Sequence, residues 1–257
     1  MNEQGLAAEV WGRGERLVLA HGFTQNSRCW GPFGHELAAD HEVVAVDLPG
    51  HGRTDPAHDT ADLPTVGRLL AEVGGDAVYI GYSMGGRAAL HAALAHPERV
   101  RALVLIGATA GMDDPAARAA RRRADETLAA DLLAGGLPAF LQRWLANPLF
   151  AGLPPSAAAV NQRLANRPEG LAASLRHTGT GTQEPRWGDL ERLTMPVLVL
   201  AGADDTKFTA EGSRLVEHLP RARMRTLPGT HAVHLAQPTA AAAAVRWFLA
   251  AELGGEY

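Results

Sequence analysis

Cysteine and lysine are almost absent from this 257-residue chain, with Cys29 and Lys207 the sole examples. A single cysteine excludes an internal disulfide and suits a reducing compartment. One lysine among 24 basic residues leaves arginine to carry the positive charge, a bias that a GC-rich genome produces. Arginine is also the better bidentate ligand for carboxylates, so individual positions can still be functional. No apolar run approaches the ~20 residues of a membrane span. The opening MNEQGLAAEV has neither the basic start nor the apolar stretch of a signal peptide. These absences predict a cytoplasmic protein without a membrane partner. A net charge of -4 gives no reason to expect nucleic acid. The 11 histidines include no H-E-x-x-H or comparable spacing, so no metal is expected. Nor is there a G-x-x-x-x-G-K-[ST] or a G-x-G-x-x-G after a strand, and no cofactor is expected.

What is present is a succession of short apolar runs. Leu6–Val10, Arg16–Ala20, Glu42–Asp47, Val78–Ile80, Val100–Ile106, Pro196–Gly202 and Arg223–Leu227 read as strands, the first an edge strand. Near-continuous apolar strands belong in a parallel sheet covered on both faces. Helical segments Phe33–Ala39, Thr65–Val73, Gly86–His96, Ala210–His218 and Thr239–Leu253 alternate with them. The expected fold class is therefore α/β, a doubly wound, mostly parallel sheet with ligands beyond the carboxyl ends of the strands. One span breaks the alternation. Residues 111–193 contain no strand-like run, only candidate helices at Asp113–Leu133, Leu137–Ala146 and Ser156–Asn166, punctuated by Gly135-Gly136, Pro148, Pro154-Pro155 and Pro168. We expect a helical cap over 111–193, inserted into a core made of 1–110 and 194–257.

The chemistry centres on Gly81-Tyr82-Ser83-Met84-Gly85, a G-x-S-x-G between the strand Val78–Ile80 and an Ala/Leu-rich helix. This is a nucleophile elbow. The serine occupies a strained strand-to-helix turn, and glycines two before and two after avoid collisions with the backbone. A serine nucleophile needs a base, and the base an orienting acid. In chain order the acid should follow the fifth core strand, where Asp204 and Asp205 occur, and the histidine the sixth, where His231 occurs with His234 as competitor. His21-Gly22-Phe23-Thr24 follows the first core strand, so the backbone N–H groups of Phe23 and Met84 are candidates for an oxyanion hole. Arg87 falls in the first turn of the elbow helix, where a cation opposes the helix dipole and is costly unless an anion lies nearby.

With HGF, DLPGHG, GYSMGG and the terminal Asp and His loops in order, the whole chain resembles the α/β-hydrolase superfamily. Within it, the elbow with Arg87 is similar to that of the 2-succinyl-6-hydroxy-2,4-cyclohexadiene-1-carboxylate synthases, the pyruvate-eliminating enzymes of menaquinone biosynthesis. Ala120-Arg121-Arg122-Arg123-Ala124-Asp125, Trp144–Phe150, Gln162–Asn166, Leu175–Gly181 with Trp187, and Asp205-Thr206-Lys207-Phe208 agree with that family. The resemblance implies a triad of Ser83, Asp205 and His231, choosing Asp205 because the family's acid stands two residues before Lys-Phe. It implies carboxylate binding by Arg87, Arg121 and Arg163, with Tyr82 and Trp144 lining the pocket. The implied partner is a small-molecule tricarboxylate substrate, 2-succinyl-5-enolpyruvyl-6-hydroxy-3-cyclohexene-1-carboxylate. The run His234-Leu235-Ala236-Gln237-Pro238 lacks the acid that many relatives carry before the proline, and Thr230 separates Gly229 from His231. The implied reaction is a lyase elimination begun by proton abstraction. The alternative is an esterase or C–C bond hydrolase with the same triad, which Arg87→Ala would barely affect on a neutral ester.

Overall fold

The computed structural model describes residues 5–254. Seven strands, β1 (Ala8–Gly12), β2 (Glu15–Ala20), β3 (His41–Val46), β4 (Ala77–Tyr82), β5 (Val100–Ile106), β6 (Val197–Gly202) and β7 (Ala222–Leu227), form one sheet in the order β1-β3-β2-β4-β5-β6-β7. β1 pairs antiparallel with β3, and every other neighbouring pair is parallel. β4 and β6 are buried along their whole length because both faces of the sheet are covered. In β2, Val18 and Ala20 point into one core while Leu17 and Leu19 point into the other, as the two-residue period of a strand requires.

The first core packs the sheet against α2 (Leu63–Gly74), α3 (Met84–Ala95) and Leu215 of α8 (Thr206–His218). The second packs it against α1 (Gly31–Leu37), through Phe33 and Leu37, and α10 (Pro238–Leu253), through Val245, Phe248 and Leu249. Local chemistry starts these helices. Asp62 caps α2 by accepting the Thr65 N–H at 2.9 Å, and the sequence just inside it supplies a proline, whose missing N–H costs nothing there.

Between β5 and β6 the chain makes α4 (Pro115–Gly135), α5 (Leu137–Leu145), α6 (Val160–Arg163) and α7 (Pro168–Thr178). α4, α5 and α7 share their own apolar cluster, in which Leu132, Phe140 and Leu171 are almost fully buried and Phe23 of the sheet side packs against it. The helix expected over Ser156–Asn166 is reduced to the four residues of α6, because Ala159 at its start has φ 51 and no right-handed helix propagates through a left-handed residue. Pro168, expected as a break, is instead the first residue of α7. The edge strand begins two residues later than expected, at Ala8, where Ala8 pairs with Val46.

Candidate active site

β4 ends and α3 begins around Ser83, which has φ 54 and ψ −109. The Ser83 N–H donates to the Ile106 carbonyl at 2.8 Å, and its carbonyl accepts from the Arg87 N–H at 3.1 Å. A Cβ on Gly81 would stand 2.3 Å from the Gly85 oxygen, and one on Gly85 would stand 1.9 Å from the Ala20 oxygen. The two glycines of the motif are thus sterically required, which is what the sequence pattern expressed. The turn lifts the serine hydroxyl off the carboxyl end of β4.

The Ser83 hydroxyl meets His231 Nε2 at 2.9 Å, and His231 Nδ1 meets Asp205 Oδ2 at 3.0 Å. The ring arrives over Gly107, whose φ is +57. A Cβ there would come within 2.8 Å of His231 Cε1. Asp205 is buried and doubles as the N-cap of α8, its Oδ1 accepting the Phe208 N–H at 3.1 Å. Burial pushes its carboxyl upward, but hydrogen bonds from His231 and from the Phe208 N–H, with the charges of His231 and Lys207, outweigh that and hold it below its ordinary value. Asp204 is exposed and lacks this arrangement. His234 is fully buried, with neither ring nitrogen hydrogen-bonded, and lies 4.4 Å from the Tyr82 ring. Burial, with the nearby charges of His231 and Arg163, lowers its pKa to about 3, so it is a neutral core residue rather than a second base.

Phe23 follows β2 and Met84 opens α3, and both line the cavity that contains Ser83. The turn that carries Phe23 is closely held. Gln25 N–H donates to the Gly22 carbonyl at 3.1 Å, and the His21 ring contacts the same oxygen through Nδ1 at 2.8 Å. His21 Nε2 accepts the Leu48 N–H at 3.1 Å, so the proton resides on Nδ1. Burial holds His21 neutral, with its pKa lowered to about 4. Thr24, next in the turn, has φ 67 and is fully buried.

The cavity, of about 240 Å³, also brings together Tyr82, Arg87, Arg121, Trp144, Arg163 and His231. Every residue singled out in the sequence as a substrate contact is therefore on its wall, yet their states differ. Arg87 is 6% exposed and donates to neutral oxygens, the Thr178 carbonyl at 2.7 Å and Gln183 Oε1 at 3.4 Å. Burial, reinforced by the charge of Arg121, lowers its pKa well below the ordinary guanidinium value, to about 10. Arg163 is 1% exposed and gives its hydrogen bonds to Ala158 O, Phe23 O and Thr24 Oγ1, again neutral. Arg121 differs in already pairing with buried Asp125, at 2.8 Å. Trp144 stands edge-on to Phe23 at 5.2 Å and stacks on Phe140 at 6.0 Å. Tyr82 lies between His231 and His234, and burial raises its hydroxyl's pKa.

Several further residues line the wall that the sequence had not assigned to the pocket, Lys207 and Phe208 having served there only to mark the acid. Lys207 and Phe208 stand two and three residues after the acid, and the Phe208 ring lies 4.3 Å from that of His231. Glu211, four residues past Lys207 on α8, accepts a hydrogen bond from Thr109. The i, i+4 spacing and the position after a strand were the available signals. Ser174 and Thr178, also i, i+4, needed α7 to be recognised first. Among the described residues no group of three or more His, Cys, Asp or Glu is placed to hold a metal ion. No described helix is long and apolar enough to cross a membrane.

The sheet, the elbow and the hydrogen-bonded Ser–His–Asp row define a class of protein, and comparison agrees: residues 17–245 match the alpha/beta hydrolase family, to which the chain belongs. Within it, the chain is 36% identical over 237 residues, 87% of its length and 86% of the relative's, to a Bacillus subtilis (strain 168) protein provisionally named 2-succinyl-6-hydroxy-2,4-cyclohexadiene-1-carboxylate synthase. It is 31% identical over 259 residues, 96% of each, to the 2-succinyl-6-hydroxy-2,4-cyclohexadiene-1-carboxylate synthase of Serratia proteamaculans (strain 568). Its fold is similar to the solved structure of MenH from S. aureus, with a TM-score of 0.89, 27% identity, and coverage of 96% of this chain and 98% of that one.

Proposed function

We propose that this chain is the pyruvate-eliminating lyase that converts 2-succinyl-5-enolpyruvyl-6-hydroxy-3-cyclohexene-1-carboxylate into 2-succinyl-6-hydroxy-2,4-cyclohexadiene-1-carboxylate, a step of menaquinone biosynthesis. The observation that carries it is the pair Arg87 and Arg163. Both are buried on the wall of the serine's cavity, and both are bonded only to neutral oxygens. A buried cation without a carboxylate is expensive unless the ligand supplies one, and this substrate carries three. A neutral ester would supply no counter-charge for them.

Ser83, His231 and Asp205 act as the triad in this reading. His231 takes the serine proton, with Asp205 holding the ring by its Nδ1–H. The serine oxygen then removes the proton from the carbon α to the succinyl ketone. The electron pair moves through the ring alkene, forms the second ring double bond and breaks the C–O bond to the enolpyruvyl group. That group leaves as the enolate of pyruvate and is protonated to pyruvate. Charge builds on the ketone oxygen, where the Phe23 and Met84 N–H groups stabilise it. Residues 111–193 serve as a cap over the core of 1–110 and 194–257. Cys29, a buried free thiol, fits a cytoplasmic enzyme.

The test is pyruvate release from the enolpyruvyl substrate by purified protein. Wild type should release one pyruvate per substrate consumed, and Ser83→Ala should lose ~10³-fold or more. Folded wild-type protein that yields no pyruvate, but hydrolyses neutral esters at a rate unaffected by loss of Arg87, would establish the hydrolase reading instead.

A further inference from the structure

We infer that Asn166 is a positioning residue for the oxyanion hole: together with Arg163 it clamps the Phe23–Thr24 turn in a conformation that the turn's own residues do not favour. The inference rests on the reading above only in taking Phe23 as an oxyanion donor.

The Gln25 N–H to Gly22 carbonyl bond, 3.1 Å, closes a β-turn with Phe23 and Thr24 at its centre. Thr24, at the third position, has φ 67. Turns with a positive φ there belong to the type II class and take glycine or asparagine. A β-branched threonine in that region is a genuine outlier, and such backbone persists only where its surroundings over-determine it. Here they do so from the segment that joins α6 to α7. Asn166 is 5% exposed, and its Nδ2 donates to the Thr24 carbonyl at 2.7 Å and to the Gln25 carbonyl at 3.4 Å. Its Oδ1 accepts the Gly52 N–H at 2.7 Å, anchoring the side chain to the loop after β3. Arg163 donates to Thr24 Oγ1 and, at 3.5 Å, to the Phe23 carbonyl.

Both central carbonyls of the turn are thus gripped by side chains more than 100 residues away in sequence, on an element outside the sheet. Without the Asn166 bond the turn relaxes by rotating Phe23 and Thr24 about their own backbone bonds. The Phe23 N–H then shifts relative to Ser83. Small misplacements of this kind lower the rate of the chemical step rather than the affinity for substrate. The segment 158–166 therefore completes the oxyanion turn as well as bordering the cavity.

Two variants separate the bonds. Asn166→Ala removes all of them, whereas Asn166→Asp keeps an acceptor for Gly52 N–H and loses the donor to Thr24. Both should lower kcat for pyruvate release about 10- to 100-fold, with KM within about twofold. Adding Thr24→Gly to either should restore most of the lost kcat, because glycine adopts the positive φ without a clamp. The rescue should appear without recovery of Tm, which a merely structural asparagine would not produce. Independently of activity, amide hydrogen exchange at Phe23, Thr24 and Gln25 should quicken in Asn166→Ala relative to wild type. Unchanged exchange at those amides, an effect confined to KM, or no rescue by Thr24→Gly would overturn the inference. Wild-type protein that releases no pyruvate overturns the function instead, and the exchange measurement still decides the clamp.

Discussion

Replacing Arg87 by methionine should make the protein more stable and a poorer enzyme. The guanidinium is 6% exposed, and burial with the Arg121 charge lowers its pKa well below the ordinary guanidinium value, to about 10. At about 1.36 kcal/mol per pH unit, that difference is a penalty of about 3 kcal/mol for holding the charge in the folded state. The sign follows from the protonation states. Both folded and unfolded chains carry the proton at pH 7, so the whole penalty is present there and eases only as pH rises above 10. Methionine removes it at similar length. It also leaves the Thr178 carbonyl, now bonded to Arg87 at 2.7 Å, without that donor, at a cost of about 1 kcal/mol. The net gain of about 2 kcal/mol corresponds to a rise in Tm of roughly 4–8 °C for a chain of this size. Catalysis should move the other way. Losing one buried carboxylate contact, ~2–4 kcal/mol, lowers kcat/KM for pyruvate release roughly 30- to 1000-fold. Substrate should raise the Tm of wild type far more than that of Arg87→Met. Thermal unfolding with and without substrate, beside steady-state pyruvate release, checks both halves. A lower Tm together with kcat/KM within threefold of wild type would refute the idea that Arg87 is a charge held in readiness for a ligand.

Acid stability should follow the buried histidines. Burial lowers His21 and His91 to about 4 and His234 to about 3, against an ordinary 6.5. Unfolded chains therefore take up protons first, so stability is full above pH 6.5 and falls as pH drops toward the folded values. Each such group should cost about 2 kcal/mol at pH 5. His234→Phe, which keeps a ring against Tyr82, Trp30 and Phe33, should reduce that loss by about 2 kcal/mol in urea titrations at pH 5 and 7. An identical pH dependence in wild type and variant would exclude His234 as a source. Gly107→Ala should leave a folded chain, with ~1 kcal/mol lost to the left-handed backbone. Its methyl, 2.8 Å from His231 Cε1, should displace the ring and cut kcat about 100-fold. A near-wild-type kcat in this variant would mean that the ring has room to spare.

Much of the site was readable because it is built from local backbone rules. Gly81 and Gly85 stand at fixed offsets from Ser83 for steric reasons, so a five-residue string reveals a three-dimensional turn. The order of acid and base follows from strands that end on one side of the sheet. The choice between Asp204 and Asp205 was of another kind. Both follow the same strand, so position alone does not separate them; the resemblance chose Asp205 by its spacing to Lys207-Phe208, and the cap on α8 buries Asp205 while Asp204 stays exposed. α6 and α7 were misread because Ala159 adopts φ 51 with no glycine or asparagine to mark it, and because one proline serves equally as a stop or a start. The bond of Arg163 to Thr24 spans 139 residues and left no trace in composition or spacing. The pairing of Arg121 with Asp125 was within reach at i, i+4, but the run Arg121-Arg122-Arg123 obscured which arginine faces inward.

The separation of Ser83 from His231, 148 residues, has a consequence for how the protein is made. β1 to β5 and the elbow are synthesised first, then the helices between β5 and β6, and only afterwards the acid and the base. A ribosome-bound chain that has not reached β6 already contains the elbow serine but contains neither Asp205 nor His231. A chain that stops short of His231 carries the elbow serine as an ordinary alcohol, so the helical insertion is always made before the serine can be activated.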